Sequence, residues 1–170
     1  DDSTTGFIRP YEDGYSFMAL LPKEGISIED YISHLSAEKL IGLVENVSTD
    51  YDVDAAIPKF KSEYSIELKD TLQNMGMTDA FDEEQADFCG IGTSDNGNIY
   101  INMVLHKTYI EVDEQGTKAG ASTVVGMVET MSLYEPEIKT VHLDRPFVYA
   151  IIDTETQMPI FLGVTESVEE

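Results

Sequence analysis

The chain has 170 residues, 42% hydrophobic and 25% charged, a globular composition with enough apolar side chains for a sizeable core. Its 10 basic and 33 acidic residues leave a formal net charge of −23, which argues against nucleic acid and anionic membrane surfaces as partners. No run of about eighteen apolar residues occurs, so no membrane-spanning helix is expected, and the single Cys89 rules out an internal disulfide while leaving the redox compartment open.

The first residues, Asp1-Asp2-Ser3, carry neither a starting Met nor a signal peptide, so the chain is expected to be a processed or truncated piece. Asp1 to Thr5 reads as a ragged end. A strand-turn-strand hairpin is expected from Phe7 to Leu21, turning at Asp13-Gly14. Tyr15 to Pro22 is nearly continuously apolar, which suits a strand buried on both faces. Ser27 caps a helix, with Asp30 where a Glu or Gln is usual, and Ile28, Tyr31, Ile32 and Leu35 form its apolar stripe. His34 falls among polar neighbours and reads as a surface residue. Ser36 caps a second helix, Ala37 to Asn46, with Leu40, Ile41, Leu43 and Val44 inward.

Val47 to Asp52 reads as a polar connection and Val53 to Ile57 as a strand. Pro58 to Ile66 alternates apolar and polar residues, with Pro58 marking an edge, a bulge or a strand-to-strand corner. Leu68 to Met75 is a short helix stopped by Gly76. Cys89, a lone thiol, is expected to pack as a small apolar group. Gly92 to Gly97 is a loop containing an Asn-Gly turn, and Ile99 to Val112 reads as one long strand with an open edge around Val104. A short strand, Ile138 to Val141, precedes two apolar strands, Phe147 to Ile152 and Ile160 to Val164, joined by a turn at Asp153 to Gln157.

Between these strands lies the most unusual stretch, Asp113 to Met131, poor in large apolar side chains and free of proline. At the strand period, Thr117, Ala119, Ala121, Thr123, Val125 and Met127 share one face, which is uncharged throughout. Lys118, Gly120, Ser122, Val124 and Gly126 share the other. Such a segment can be a solvated loop in one state and a central strand in another.

Several stretches together resemble one family. Glu114-Gln115-Gly116-Thr117-Lys118-Ala119-Gly120-Ala121-Ser122, continuing to Thr123, resembles the hinge of the reactive-centre loop of the serpins. Ile57-Pro58-Lys59-Phe60 through Met75-Gly76-Met77-Thr78-Asp79-Ala80-Phe81 resembles a main-sheet strand with its short helix and turn. Ala86-Asp87-Phe88-Cys89-Gly90-Ile91 is similar to a segment with Ser in place of Cys89. His106-Lys107-Thr108-Tyr109-Ile110-Glu111-Val112 resembles the strand before the hinge, and Leu143-Asp144-Arg145-Pro146-Phe147-Val148-Tyr149-Ala150-Ile151 the C-terminal signature.

The resemblance covers Gly6 to Val164 and implies an α+β fold, the C-terminal part of the serpin fold, with strands of the main sheet, a β-hairpin or barrel-like sheet and short helices. It implies that residues 1–170 belong to a single domain whose N-terminal half is missing, with a reactive-centre loop at about 114–135, and it is compatible with a bacterial-type sequence. Serpins are serine protease inhibitors that act as suicide substrates, inserting the cleaved loop into the main sheet, so this piece alone is expected to be inactive. The alternative is a non-inhibitory serpin, a binding, carrier or chaperone protein. The family's usual offset from the hinge glycine Gly116 puts the reactive bond at Thr130–Met131, with Met131–Ser132 as the alternative because the segment to Pro146 is long. A His at the place of His106 helps keep the family's main sheet closed; a His satisfied by local backbone is the other reading.

No Arg or Lys occurs between Lys118 and Lys139, so a trypsin-like target is disfavoured. An elastase-like pocket accepts Val, Thr or Met, a chymotrypsin-like one Met131 or Tyr134, and subtilisin-like targets remain open. An extracellular or secreted setting is expected. No His-Glu-x-x-His, Walker loop, Cys pair or nucleophile elbow is present, so neither an enzyme, a metal nor a cofactor is expected.

Overall fold

The computed structural model describes residues 1–113, 116–117 and 137–167. Its elements in chain order are β1 Thr4–Pro10, β2 Tyr15–Pro22, α1 Ile28–Ser33, α2 Ala37–Glu45, β3 Tyr51–Ala56, β4 Phe60–Glu67, α3 Lys69–Asn74, a 3-10 turn Asp79–Phe81, β5 Leu105–Asp113, β6 Gly116–Thr117, β7 Glu137–His142, β8 Phe147–Asp153 and β9 Pro159–Thr165. The chain divides into two compact units, residues 1–60 with 111–170, and residues 61–110.

The first unit is built on an antiparallel sheet of order β1-β2-β8-β9. The expected hairpin forms with Phe7 opposite Ala19. Its turn is closed by Tyr11 N–H donating to the Tyr15 carbonyl at 2.8 Å, with Gly14 at φ 79°, a left-handed angle that suits glycine. The ragged end is shorter than expected, because Thr4 and Thr5 pair with Pro22 and Leu21 and the buried Thr4 hydroxyl donates to the Leu21 carbonyl.

β2 is buried from Ser16 to Pro22 because it has a strand on each edge and apolar partners on each face. On one face Met18, Leu20, Val148, Ala150 and Ile152 pack with Ile28 and Tyr31 of α1 and Leu40 of α2, joined by Leu35, Leu43 and Val44. Ile32 and Ile41, both expected to face inward, are instead 41% and 44% exposed. Each residue advances a helix by roughly 100°, so Ile41 is turned away from the side on which Leu40 packs, and Ile32 lies at the rim of the narrow stripe that Ile28 and Tyr31 define. The expected caps form: Ser27 Oγ accepts from Asp30 N–H and Ser36 Oγ from Lys39 N–H, at 3.1 and 3.2 Å. His34 is exposed, as expected.

Elsewhere in this unit Phe60, Phe147, Tyr149 and Phe161 form an aromatic cluster, with Phe60 and Tyr149 ring centres 4.9 Å apart. Gly163 lies under this cluster; a Cβ there would stand 2.3 Å from the Tyr149 hydroxyl. The final turn forms as read, its Asp153 carboxylate accepting from Thr156 N–H at 2.7 Å, an interaction that lowers the Asp153 pKa. β3 and β7 make a separate parallel pair in which Tyr51 faces Glu137 and Ala56 faces His142. β3 therefore begins inside the stretch read as a polar connection.

In the second unit the long strand expected from Ile99 is shorter, starting at Leu105. Upstream, the described backbone bonds go to isolated partners instead of a ladder. Ile101 N–H donates to the Ala80 carbonyl, Val104 N–H to Glu67 Oε1, and the Val104 carbonyl accepts from Leu68 N–H. At Val104 the backbone groups on the β4 side are thus taken by Glu67 and Leu68; the expected open edge lies on the opposite side of this strand, where the neighbour among the described residues is the two-residue β6. The short helix and its Gly76 stop, at φ 101°, form as read. Cys89 does not pack: it is exposed, and the Asp87 carboxylate beside it, as hydrogen-bond acceptor and as a negative charge, pushes its thiol pKa up. The Asp87 carboxylate also accepts from Cys89 N–H, which places the thiol next to it instead of in a core.

Candidate functional site

β5 leads into the segment read as the hinge. Its alternation puts Thr108, Ile110 and Val112 on one face, with Ile110 and Val112 buried. His106 belongs to the same face by period but is exposed. Beyond β5, the chain returns antiparallel as β6, with Thr117 opposite Val112 and Gly116 opposite Asp113. Of the residues read as the hinge, Gly116 and Thr117 are thus in a strand. Glu114, Gln115, Lys118, Ala119, Gly120, Ala121, Ser122 and Thr123 lie outside the described residues, as do Thr130, Met131 and Ser132 of the two reactive-bond readings.

The segment read as the loop is followed by β7, whose attachment the sequence pattern does not reveal. Val141 is buried, and Leu143, buried just beyond the strand, donates its N–H to the Ala56 carbonyl at 2.9 Å. On one face of the β3–β7 pair, Lys139 Nζ lies 2.6 Å from Glu137 Oε1 and 4.6 Å from the Tyr51 ring centre. The Glu137 carboxylate is the main cause of the raised Lys139 pKa. On the other face, His142 Nε2 meets Asp54 Oδ2 at 3.1 Å. Arg145 then donates from Nε and a terminal nitrogen to the Pro22 carbonyl, at 3.3 and 3.0 Å, and from its other terminal nitrogen to Asp144 at 2.9 Å.

The signal for these contacts is the alternation Asp52-Val53-Asp54 and Ile138-Lys139-Thr140-Val141-His142. It becomes informative only when the parallel register is known. β7 is thus attached to β3 within the first unit, while Gly116 and Thr117 pair with the end of β5. No cluster of His, Cys, Asp and Glu able to hold a metal occurs among the described residues.

Residues 4–167 match the model of the family described as Serpin (serine protease inhibitor). The chain belongs to the serpin family. It is 35% identical over 166 residues to Iris of the tick Ixodes ricinus, covering 96% of this chain and 42% of that protein. Among solved structures it is similar to the thermophilic serpin tengpin in its native state, with a TM-score of 0.78 and 49% identity over 98% of this chain and 43% of tengpin. It is also similar to thyroxine-binding globulin in complex with thyroxine, with a TM-score of 0.72 and 28% identity over 99% of this chain and 42% of the globulin. The chain thus spans about two fifths of the length of these serpins. Its mixed strands and few short helices are those of the C-terminal part of the serpin fold.

Proposed function

We propose that the complete protein inhibits a serine protease as a suicide substrate, acting outside the cell through a reactive-centre loop at about 114–135. In this reading residues 1–170 are the C-terminal part of one serpin domain, completed by an N-terminal half that supplies the rest of the main sheet. The observation that carries it is the antiparallel start of the hinge on β5, Thr117 opposite Val112. From there, continued pairing along β5 needs only that the loop be released at its far end.

The protease attacks Thr130–Met131 or Met131–Ser132 and forms an acyl-enzyme. Cleavage separates the hinge from β7, which stays bound to β3, and the hinge zips into the main sheet. Each backbone hydrogen bond gained contributes about 0.5–1.5 kcal/mol net, and ordering a residue costs about 1–2 kcal/mol. The surplus has to come from burying side chains and relieving strain in the uncut molecule. Small uncharged residues at Thr117, Ala119, Ala121 and Thr123 permit that burial; a charge there would be buried unpaired. His106 assists by bonding across the sheet to the missing half before cleavage. The chemistry belongs to the protease, so the serpin itself is not an enzyme. Val, Thr and Met around the reactive bond fit an elastase-like or subtilisin-like protease better than a trypsin-like one.

A second reading, a non-inhibitory carrier, is favoured by the likeness to thyroxine-binding globulin. Incubation of the complete protein with an elastase separates the two. An SDS-stable adduct with the loop cut supports inhibition; cleavage without an adduct supports the carrier. Thr117→Arg should convert an inhibitor into a substrate, and inhibition that survives this change would sink the insertion step.

A further inference from the structure

The loop from Gly92 to Gly97 carries chemistry that protease inhibition does not use. The chain has Asn at 46, 74, 96, 98 and 102, and Asn96 alone among them precedes a glycine. Asn96 and Gly97 are both exposed. Gly97 sits at φ 131° with nothing within 4 Å of where a Cβ would be. Among the described residues, neither the Asn96 carboxamide nor the Gly97 N–H has a hydrogen-bond partner; Asn96 engages only through its own N–H, which donates to Ser94 Oγ.

Asn98, two residues on, is a control built into the same loop. Its carboxamide donates to the Glu83 and Ala86 carbonyls at 3.1 and 2.7 Å and accepts from Ile99 N–H, and its successor Ile99 is β-branched. Asn46 donates to the Gly42 carbonyl and precedes the branched Val47. In these two, the carboxamide is held and the following nitrogen is shielded.

We propose that Asn96 is a site of covalent self-modification, deamidating through a cyclic imide. The deprotonated Gly97 backbone nitrogen attacks Asn96 Cγ; the new C–N bond closes a five-membered ring as the Cγ–NH2 bond breaks and ammonia leaves. Solvent water then opens either carbonyl, giving aspartate or isoaspartate, so the net change is amide plus water to acid plus ammonia. Glycine permits the step because it has no Cβ to obstruct the closing ring. The product adds a negative charge between Asp95 and Asn98, and its isoaspartyl form lengthens the backbone beside the Asn98 clamp.

The test incubates the complete folded protein at mildly alkaline pH and follows residue 96 by peptide mapping, with enzymatic isoaspartate labelling as a second readout. The expected result is an amide-to-acid mass gain at residue 96 ahead of 46 and 98, and none at that residue in Asn96→Gln, whose extra methylene disfavours the ring. Gly97→Ala is expected to slow the gain several-fold by crowding the attacking nitrogen. Alanine is strained at this φ, and if that variant fails to fold, the comparison with Asn96→Gln is decisive. The proposal is overturned if residue 96 stays amidated in the folded protein while the unfolded chain deamidates there, or if Asn98 reacts as fast.

Discussion

In the first unit β2 buries every residue from Ser16 to Pro22, whereas in the second unit neither β4 nor α3 has a buried residue. β2 is almost wholly apolar, whereas β4 alternates apolar with polar residues and α3 has Leu72 alone among polar ones. β2 is flanked by β1 and β8 and has apolar partners on both faces, so its burial is complete within this chain. In the second unit Phe81, Ala86 and Ile110 are buried, while Met75, Ile91 and Met103 are 79%, 82% and 61% exposed. The contrast is between an element covered on both faces and elements whose side chains stay exposed.

The contrast breaks most visibly at Tyr149, which is 1% exposed and packs with Phe60, Phe147 and Phe161. Tyr149→Ala should cost about 3–5 kcal/mol in urea denaturation of the complete protein. Gly163→Ala drives a methyl into the same ring and should cost about 1–3 kcal/mol by the same measurement. Ser36→Ala removes the oxygen that accepts from Lys39 N–H and should cost about 1 kcal/mol.

Alkaline pH sharpens the comparison in the first unit. Burial raises the Tyr31 pKa, with the neighbouring Thr4 hydroxyl acting the other way. The fold therefore favours the neutral phenol. Its contribution is whole below the ordinary tyrosine range near pH 10.0 and is lost as pH rises through the higher folded value. A stability profile should fall above that range, and Tyr31→Phe should flatten the fall. The smallest effect is expected at Ile91 if it stays as exposed in the complete protein as in this chain. Ile91→Ala should then lie within about 0.5 kcal/mol of wild type; a loss well beyond that would show that the rest of the protein covers it.

Much of the fold is legible locally. Asp13-Gly14 announces its turn, Ser27 and Ser36 announce their helices, and the unbroken run from Tyr15 to Leu21 announces a strand covered on both faces. The misses arise where a partner group overrides composition. Ile99 to Val104 has the composition of a strand, but Glu67, Leu68 and Ala80 take its backbone groups. Cys89 looks like core filler, but its neighbour Asp87 engages it at the surface. At the site, the sequence reads a hinge from slim residues and a family resemblance, and of those residues the structure describes Gly116 and Thr117, paired with β5. The clamps Lys139–Tyr51, His142–Asp54 and Arg145–Pro22 are not readable, because their partners stand 88 or 123 positions apart along the chain.

The amino-acid order by itself determined the family, the turns and the caps, because these depend on neighbours a few residues away or on a fixed pattern. Tertiary structure alone decided which strands touch, which carbonyl Arg145 reaches and which asparagine keeps a free carboxamide. Those outcomes follow from which groups meet in space, and partner choice between distant segments leaves no mark in either segment read singly.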